Sequence, residues 1–196
     1  MSLTNRVIKR VIDIFGSLIG LIVISPVLIV ICIAIKLSSK GPMFFRQERL
    51  GEGGQVFKII KFRTMIDNAE SIGSGIKTFV NDPRITKVGS LLRKYSLDEL
   101  PQLFNVLGGS MSIVGPRPPV PYHPRKYSEY STKQVKRFDV KPGITGYAQI
   151  KGRNALNWDE RIEYDIEYVE NQSIIMDIKI IVLTIIKVFK KEGIHS

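Results

Sequence analysis

Near its N-terminus the chain carries an apolar segment that is long enough to enter a membrane. From Ile14 to Ile35, 22 consecutive residues carry no charge, and isoleucine, leucine and valine dominate them. At about 1.5 Å per residue, a straight helix over this segment would measure roughly 33 Å, close to the thickness of a bilayer's hydrocarbon core, about 30 Å. The pattern predicts a membrane helix within residues 1–40.

A proline divides this apolar segment. Pro26 lacks a backbone N–H and its ring collides with the carbonyl of Ile22, so we expect a bend, with the Ser25 hydroxyl as a partner for that carbonyl. Basic residues flank both ends of the segment and give no orientation by the positive-inside rule: Arg6, Lys9, Arg10, Lys36 and Lys40. Two topologies remain, a re-entrant helix that breaks at Ser25-Pro26 and returns to the same side, and an ordinary spanning helix kinked by its proline.

A second apolar pattern lies at the C-terminus, in residues 172–196. Six apolar residues recur there at helical spacing: Ile174, Ile178, Ile181, Val182, Ile185 and Phe189. Together with several lysines, they predict an amphipathic helix that lies in the membrane interface. The alternative is a C-terminal core helix whose lysine-rich end is favoured by the helix dipole.

Between these segments, residues 41–171 have the pattern of one compact catalytic or binding unit. Strand-like runs at 43–47 and 55–62 flank a glycine-rich turn, which predicts a β-hairpin. Helices are predicted from about residues 66, 88, 97, 125 and 158, and an irregular proline-rich loop follows residue 115. The predicted class is α+β and helix-rich, with three parts: a membrane helix in 1–40, a soluble unit in 41–171 and an interfacial helix in 172–196.

The amino-acid composition limits the kinds of catalytic or binding site that the chain could form. The chain has 29 Lys+Arg against 18 Asp+Glu, a net charge of +11, which indicates an anionic partner. It contains one cysteine, Cys32, and two histidines, His123 and His195. Disulfide scaffolds, Cys/His zinc sites and catalysis by Cys-His or Ser-His-Asp groups are therefore disfavoured. Carboxylates and basic side chains remain as the candidate catalytic groups.

Two adjacent acids are the strongest catalytic candidates. Asp98 and Glu99 precede Pro101, a residue that a helix tolerates only near its first turn, so both carboxylates are expected near a helix start. Adjacent helical side chains point about 100° apart, which lets one carboxylate attack while the other holds a metal ion. The alternative is a capping box, in which Ser96 and Glu99 only satisfy the helix start.

Basic residues on the same unit suggest phosphate binding: Lys61, Arg63, Arg93 and Arg117. The sequence has no Walker-type or Gly-x-Gly-x-x-Gly loop, so arginine would have to replace the usual cradle of backbone amides. The planar guanidinium suits bidentate phosphate contacts. Taken one by one, these residues are equally explained by a solvated basic surface.

Five motifs in this order resemble the bacterial sugar transferase family: KFRTM (61–65), SLDELPQLFNVL (96–107), MSIVGPRP (111–118), KPGITGYAQIKGRN (141–154) and DIKIIVLTI (177–185). The resemblance is to the small monotopic phosphoglycosyl transferases rather than to the long form with additional N-terminal spans. It extends from Arg6 to about Lys190.

This resemblance implies transfer of a sugar-1-phosphate from a UDP-sugar to a polyprenol (undecaprenyl) phosphate, with release of UMP. It implies that Asp98 is the nucleophile, giving a phosphosugar-aspartyl intermediate, and that Glu99 helps to place Mg²⁺. Phosphate contacts are implied for Lys61, Arg63, Arg93 and Arg117. Nucleotide or sugar contacts are implied for Gln149, Arg153 and Asn154.

The resemblance also favours the re-entrant topology at Ser25-Pro26. It implies a location on the cytoplasmic face of the bacterial inner membrane. The implied pathway step is the first membrane step of capsule, exopolysaccharide, O-antigen or glycoprotein glycan synthesis. The expected partners are a UDP-sugar, a polyprenol phosphate and membrane lipids, and a homo-oligomer is left open. The alternatives are a tethered module that binds anionic lipid or nucleic acid without catalysis, and a membrane scaffold. Aromatic residues are sparse among the basic ones, which disfavours binding to single-stranded nucleic acid.

Overall fold

The structure is a computed structural model and describes residues 3–73, 75, 78–79, 81–152 and 155–190. The helices in this part of the chain are α1 (Leu3–Ser38), α2 (Lys87–Lys94), α3 (Gln102–Leu107), α4 (Thr132–Val135), α5 (Tyr147–Lys151), α6 (Trp158–Glu170) and α7 (Ile174–Lys190). The strands are β1 (Phe44–Leu50), β2 (Val56–Phe62), β3 (Ser112–Val114) and β4 (Gly143–Thr145). The helix-rich α+β class predicted from the sequence is confirmed.

Helix α1 stays helical across Pro26, so the predicted interruption of the helix at this point is not seen. The reason lies one residue before the proline: the Ser25 hydroxyl donates a hydrogen bond to the carbonyl of Ile22 at 2.8 Å. The carbonyl that Pro26 leaves without its helical partner is thereby satisfied, as the sequence predicted. By length and composition, α1 is able to cross a membrane.

The N-terminal end of α1 is fastened to the rest of the protein by charged side chains. The Lys9 ammonium donates to the Asp177 carboxylate at 2.6 Å and to the carbonyl of Val114 at 3.1 Å. Asp13, which is buried, accepts a hydrogen bond from the backbone N–H of Ile113 at 3.0 Å. These side chains therefore bind the protein core, although Lys9 belongs to the basic flank of the apolar segment.

The C-terminal end of α1 is fastened by apolar packing. Ile31 and Ile35 are buried in one cluster with Phe62 and Leu92. Between the two ends, α1 exposes a broad apolar surface: Phe15, Ile19, Ile22, Val23, Ile29 and Val30. The helix thus contacts the domain along one face, which includes the buried Ser17 and Leu21, and leaves the opposite face uncovered.

Strands β1 and β2 form the predicted hairpin, with Phe45 opposite Lys61. The chain reverses at residues 52–54, where Gly53 and Gly54 have positive φ angles of 63° and 75°, which glycine adopts without strain. The helices predicted from about residues 66 and 125 are wrong, because the chain there forms only short 3₁₀ turns at 69–71 and 127–129.

A short parallel pair, β3 and β4, links the helices at the centre of the domain, with Val114 opposite Thr145. Val114 packs in a buried cluster with Tyr168 of α6 and Ile180 of α7. The Tyr168 hydroxyl donates to Asp177 at 2.7 Å, the same carboxylate that binds Lys9. The first and last long helices are therefore joined through one buried polar network.

Helix α7 is a core helix, one of the two possibilities that the sequence left open. One face packs into the core through the buried residues Asp177 and Ile180. The opposite face is exposed although it is apolar: Ile175, Ile178, Val182, Ile185 and Ile186. The helix is therefore a core element that also presents an uncovered apolar face.

Candidate active site

Asp98 and Glu99 lie in a tight 3₁₀ turn, Leu97–Glu99, between α2 and α3. Ser96, which precedes the turn, has a positive φ of 55°, a conformation that a serine rarely adopts. The Ser96 side chain does not cap the turn, so the capping box predicted as an alternative role for Ser96 and Glu99 is not formed. The turn places the two carboxylates at the wall of a large cavity.

Glu99 is held by two cations. Its Oε1 accepts hydrogen bonds from Lys61 Nζ at 2.7 Å and from Arg117 Nη2 at 2.6 Å, and its Oε2 accepts one from Arg117 Nη1 at 3.2 Å. Burial raises the pKa of Glu99, but the charges of Arg117 and Lys61 outweigh burial and lower it well below its usual range. Glu99 is therefore a permanently ionised group whose oxygens are already occupied.

The carboxylate of Asp98, unlike that of Glu99, is not held by a cation among the described residues. Among the described residues, no basic nitrogen forms an ion pair with its carboxylate, which is partly buried in the cavity wall. Burial, together with the neighbouring charge of Glu99, raises the pKa of Asp98 to about 6. The result is a carboxylate that is ionised at neutral pH and whose oxygens are free to react.

Among the predicted phosphate ligands, Arg93 lines the same cavity as Lys61 and Arg117. Its Nε donates to the Thr64 hydroxyl at 2.9 Å, which fixes the guanidinium on α2. Burial lowers the pKa of Arg93, while the negative charge of Asp98 raises it. Lys61, Arg93 and Arg117 thus surround the carboxylate pair with positive charge.

Arg63 also lines the cavity, but its guanidinium is already engaged by the end of α1. Its side chain is buried, and its guanidinium donates to the backbone carbonyls of Lys40 at 2.8 Å and Ser39 at 2.9 Å. Both terminal nitrogens are used to tie the end of α1 to the domain. We therefore do not retain Arg63 among the proposed phosphate contacts.

The cavity has a volume of about 820 Å³, within the range of small-molecule sites, roughly 300–1,000 Å³. Gln149, on α5, forms part of its wall and donates to the carbonyl of Ile144 at 3.1 Å. The Oε1 of Gln149 is buried and has no hydrogen-bond partner among the described residues. Arg153 and Asn154, the other predicted nucleotide or sugar contacts, lie outside the described residues.

The cavity wall contains a buried ion pair that the sequence analysis missed. Arg137 Nη2 donates to Asp165 Oδ2 at 2.6 Å, and the two side chains are 1% and 2% exposed. The same nitrogen donates to the carbonyl of Arg117 at 3.0 Å. The pair therefore supports the loop that carries Arg117.

The acidic residues of the site offer few oxygens to a metal ion. No group of three or more His, Cys, Asp or Glu side chains within the described residues is arranged to hold one. Mg²⁺, however, commonly binds proteins through one or two carboxylates together with substrate phosphate oxygens. Asp98 offers such oxygens directly, whereas Glu99 would first have to release Lys61 or Arg117. Asp98 thus fits a magnesium ion that arrives with a phosphate-bearing substrate, whereas Glu99 in its present contacts does not.

The known proteins that this chain resembles are bacterial sugar transferases. A family model described as bacterial sugar transferase matches residues 4–191. The chain is 46% identical over 202 residues to the UDP-glucose:undecaprenyl-phosphate glucose-1-phosphate transferase of Escherichia coli (strain K12), covering 100% of this chain and 43% of that protein. It is 48% identical to the protein of the same name from Klebsiella pneumoniae, covering 94% of this chain and 41% of that protein.

The chain thus spans less than half the length of these two relatives. It spans much more of a third relative, the uncharacterized sugar transferase EpsL of Bacillus subtilis (strain 168), to which it is 44% identical over 97% of this chain and 91% of that protein. Both the family model and EpsL cover nearly all of the chain. The chain belongs to the bacterial sugar transferase family.

Proposed function

We propose that this protein transfers a sugar-1-phosphate from a UDP-sugar to undecaprenyl phosphate or a similar polyprenol phosphate, and releases UMP. The observation that carries the proposal is the free carboxylate of Asp98 beside a Glu99 that Lys61 and Arg117 hold in place. Two relatives are named for the same reaction with UDP-glucose. The net charge of +11 suits a protein whose two substrates are both polyanions.

In the first step, a carboxylate oxygen of Asp98 attacks the phosphorus that carries the sugar. The bond from this phosphorus to the bridging oxygen breaks, and UMP leaves with that oxygen. In the second step, a phosphate oxygen of the polyprenol phosphate attacks the same phosphorus, which forms the polyprenyl diphosphate sugar and frees Asp98. Carboxylates are competent nucleophiles in such covalent phosphoryl transfer.

The basic residues around the pair stabilise the charge of the reacting phosphates. Arg117 and Lys61 lie on the Glu99 side of the pair, and Arg93 acts on Asp98 by its charge. Because these cations are fixed by hydrogen bonds before substrate arrives, little reorganisation is needed when negative charge develops. Mg²⁺, held by Asp98 and the substrate diphosphate and by Glu99 if it exchanges a cation, would supply further charge neutralisation.

The rest of the donor substrate is proposed to lie in the same cavity, along the wall formed by Arg137 and Gln149. Both side chains have buried polar atoms without a hydrogen-bond partner among the described residues. Both lie in the wall of the same cavity as Asp98. These groups suit the hydroxyl and base atoms of a nucleotide sugar, which must be hydrogen-bonded when they leave water.

Membrane attachment is proposed to be monotopic, with both ends of α1 on the cytoplasmic side of the bacterial inner membrane. Lys9 and Ile35 both contact the same domain, although a straight helix would separate them by about 39 Å. A helix that crossed the bilayer would carry one of these contacts to the far side. The exposed apolar faces of α1 and α7 would enter one leaflet and its interface.

Single cysteines at Asn5 and Lys40, in a chain whose Cys32 is replaced by alanine, test this topology. We expect a membrane-impermeant maleimide to label neither site in intact cells and both sites in inverted membrane vesicles. Labelling of the Asn5 cysteine from the outside of intact cells would show that α1 spans the membrane. A cysteine in the exposed loop of a periplasmic reporter serves as the positive control for access.

The proposed reaction is tested by mixing the purified full-length protein with undecaprenyl phosphate, Mg²⁺ and a panel of UDP-sugars that begins with UDP-glucose. We expect one donor to give UMP and a lipid-linked sugar phosphate in equal amounts. A folded protein that releases no UMP from any donor would contradict the proposal. It would favour the alternative of a membrane-tethered module without catalysis.

The pKa of Asp98 sets the expected pH dependence. Asp98 can attack only when it is ionised, so protonation below its pKa of about 6 removes the nucleophile. We expect kcat/KM for the UDP-sugar to be level above about pH 7 and to fall roughly tenfold per pH unit below 6. Initial rates of UMP release, measured from pH 4.5 to 8 at low donor concentration, give kcat/KM at each pH. A value of kcat/KM that stays level down to pH 5 would rule out Asp98 as the titrating group.

A further inference from the structure

A second cavity adjoins the proposed active site and differs from it in character. It has a volume of about 270 Å³ and lies between the turn at 97–99 and α3 on one side and β4, α5 and α7 on the other. The surface of its wall is mainly apolar, and six aliphatic residues contribute to it: Leu97, Leu100, Leu103, Ile144, Ile150 and Val188. We refer to these residues and Lys187 as the aliphatic groove.

The groove and the large cavity share part of their walls. Ser96, Glu99 and Gln149 line both. A ligand in the groove would therefore end beside the carboxylate pair, on the Glu99 side. This position places it within reach of the reacting centre while leaving the large cavity to the nucleotide sugar.

The groove borders two helices that also expose apolar residues. A methyl group of Leu103 lies 3.5 Å from the point that a Cβ on Gly20 would occupy, so the groove wall packs against the face of α1 that contacts the domain. On other sides of α1, Ile19 and Val23 are 59% and 70% exposed. An apolar chain that lies along the exposed side of α1 would therefore be close to the groove.

One cation faces this aliphatic surface. Lys187, on α7, lines the groove and is half-buried, and no carboxylate lies within 4 Å of its ammonium among the described residues. Its helix is fixed against β4 by a hydrogen bond of 2.6 Å between the hydroxyls of Thr184 and Thr145. An unpaired ammonium beside an apolar channel fits a ligand that joins an anionic head to an apolar chain.

We propose that the aliphatic groove binds the acceptor lipid, with the first isoprene units in the channel and the phosphate on Lys187. This inference rests on the proposed function and adds the place where its second substrate binds. The groove volume is just below the usual range for whole small ligands, roughly 300–1,000 Å³. Only the part of the lipid next to the phosphate would therefore be enclosed, and the remainder of the chain would stay in the bilayer.

The test separates the two half-reactions. Exchange of labelled UMP into the UDP-sugar requires no lipid, whereas transfer to undecaprenyl phosphate requires the groove. We expect Lys187→Gln to raise the KM for undecaprenyl phosphate about tenfold, the loss of one charged hydrogen bond, and Val188→Trp to raise it by filling the channel. Lys179→Gln, an exposed lysine on the same helix, and Val56→Trp, at the hairpin, are the matched controls.

The inference is overturned if Lys187→Gln and Val188→Trp behave like their controls, or if they reduce exchange as much as transfer. A direct measurement is independent of catalysis: a polyprenyl phosphate with a photoreactive group on its first isoprene unit is crosslinked to the full-length Asp98→Asn protein. Labels in 97–103 or 184–188 support the groove, and labels confined to other segments contradict it. Absence of UMP exchange in the wild-type protein would instead contradict the proposed function.

Discussion

Asp98→Asn is expected to abolish both half-reactions, lowering the rates of UMP exchange and of lipid transfer by at least about 10³-fold. The amide has nearly the size of the carboxylate but is not nucleophilic, so no aspartyl intermediate forms. Asp98 makes no ion pair in the described part of the protein, so the substitution leaves no buried cation unpaired. We therefore expect the protein to fold and to bind membranes as before.

The measurement uses a UDP-sugar labelled in the phosphate next to the sugar. The wild-type protein should retain the label after rapid denaturation, and Asp98→Asn should not. Asp139→Asn, an exposed aspartate outside the cavity, controls for the loss of a negative charge. Retained label on the Asp98→Asn protein would show that another residue is the nucleophile.

Local sequence patterns selected residues that the structure brings together. The acids before Pro101 and the basic residues were proposed as parts of one site, and Glu99 binds Lys61 and Arg117. Their motifs are short and local, so they can be recognised without knowledge of the fold. The hairpin was equally predictable, because alternating strands around a glycine-rich turn form a local structure.

Patterns that depend on tertiary contacts were misjudged. Arg63 belongs to the same motif as Lys61, and the sequence does not show that its terminal nitrogens bind backbone carbonyls at the end of α1. The basic flank of the apolar segment was considered only as a signal for membrane orientation, yet Lys9 binds Asp177 in the core. In both cases the partner is distant in sequence, and no local periodicity identifies it.

The ion pair between Arg137 and Asp165 is the clearest example of a contact that local sequence patterns do not predict. The two residues are 28 positions apart, in a short 3₁₀ turn and in α6, and each resembles an ordinary surface charge in sequence. Only the folded chain reveals that both are buried and that Arg137 reaches the carbonyl of Arg117. The pair therefore connects the stability of the domain to the position of a residue in the proposed site.

Because of this ion pair, we expect a substitution at Asp165 to cause the largest loss in the free energy of unfolding. Burial raises the pKa of Asp165 to about 6, so at neutral pH it is ionised opposite Arg137. Asp165→Ala would leave the Arg137 charge buried without a partner and should lower the free energy of unfolding by about 3–5 kcal/mol. Denaturant unfolding of the detergent-solubilised protein, followed by the fluorescence of its single tryptophan, Trp158, measures this change.

The matched control is a nearby ion pair that is exposed. Lys136 binds Glu170 at 2.9 Å with about half of each side chain exposed, so Glu170→Ala should cost less than about 1 kcal/mol. If Asp165→Ala and Glu170→Ala lowered the free energy of unfolding by the same amount, the Arg137–Asp165 pair would not be a buried and energetically coupled one.

A double substitution separates stability from activity at this pair. Arg137→Met with Asp165→Leu removes both buried charges and fills the space with apolar groups, so we expect most of the lost free energy of unfolding to return. UMP release should not return with it, because residue 137 would no longer hold the Arg117 carbonyl. A double variant that recovers both stability and activity would show that the pair has only a structural role.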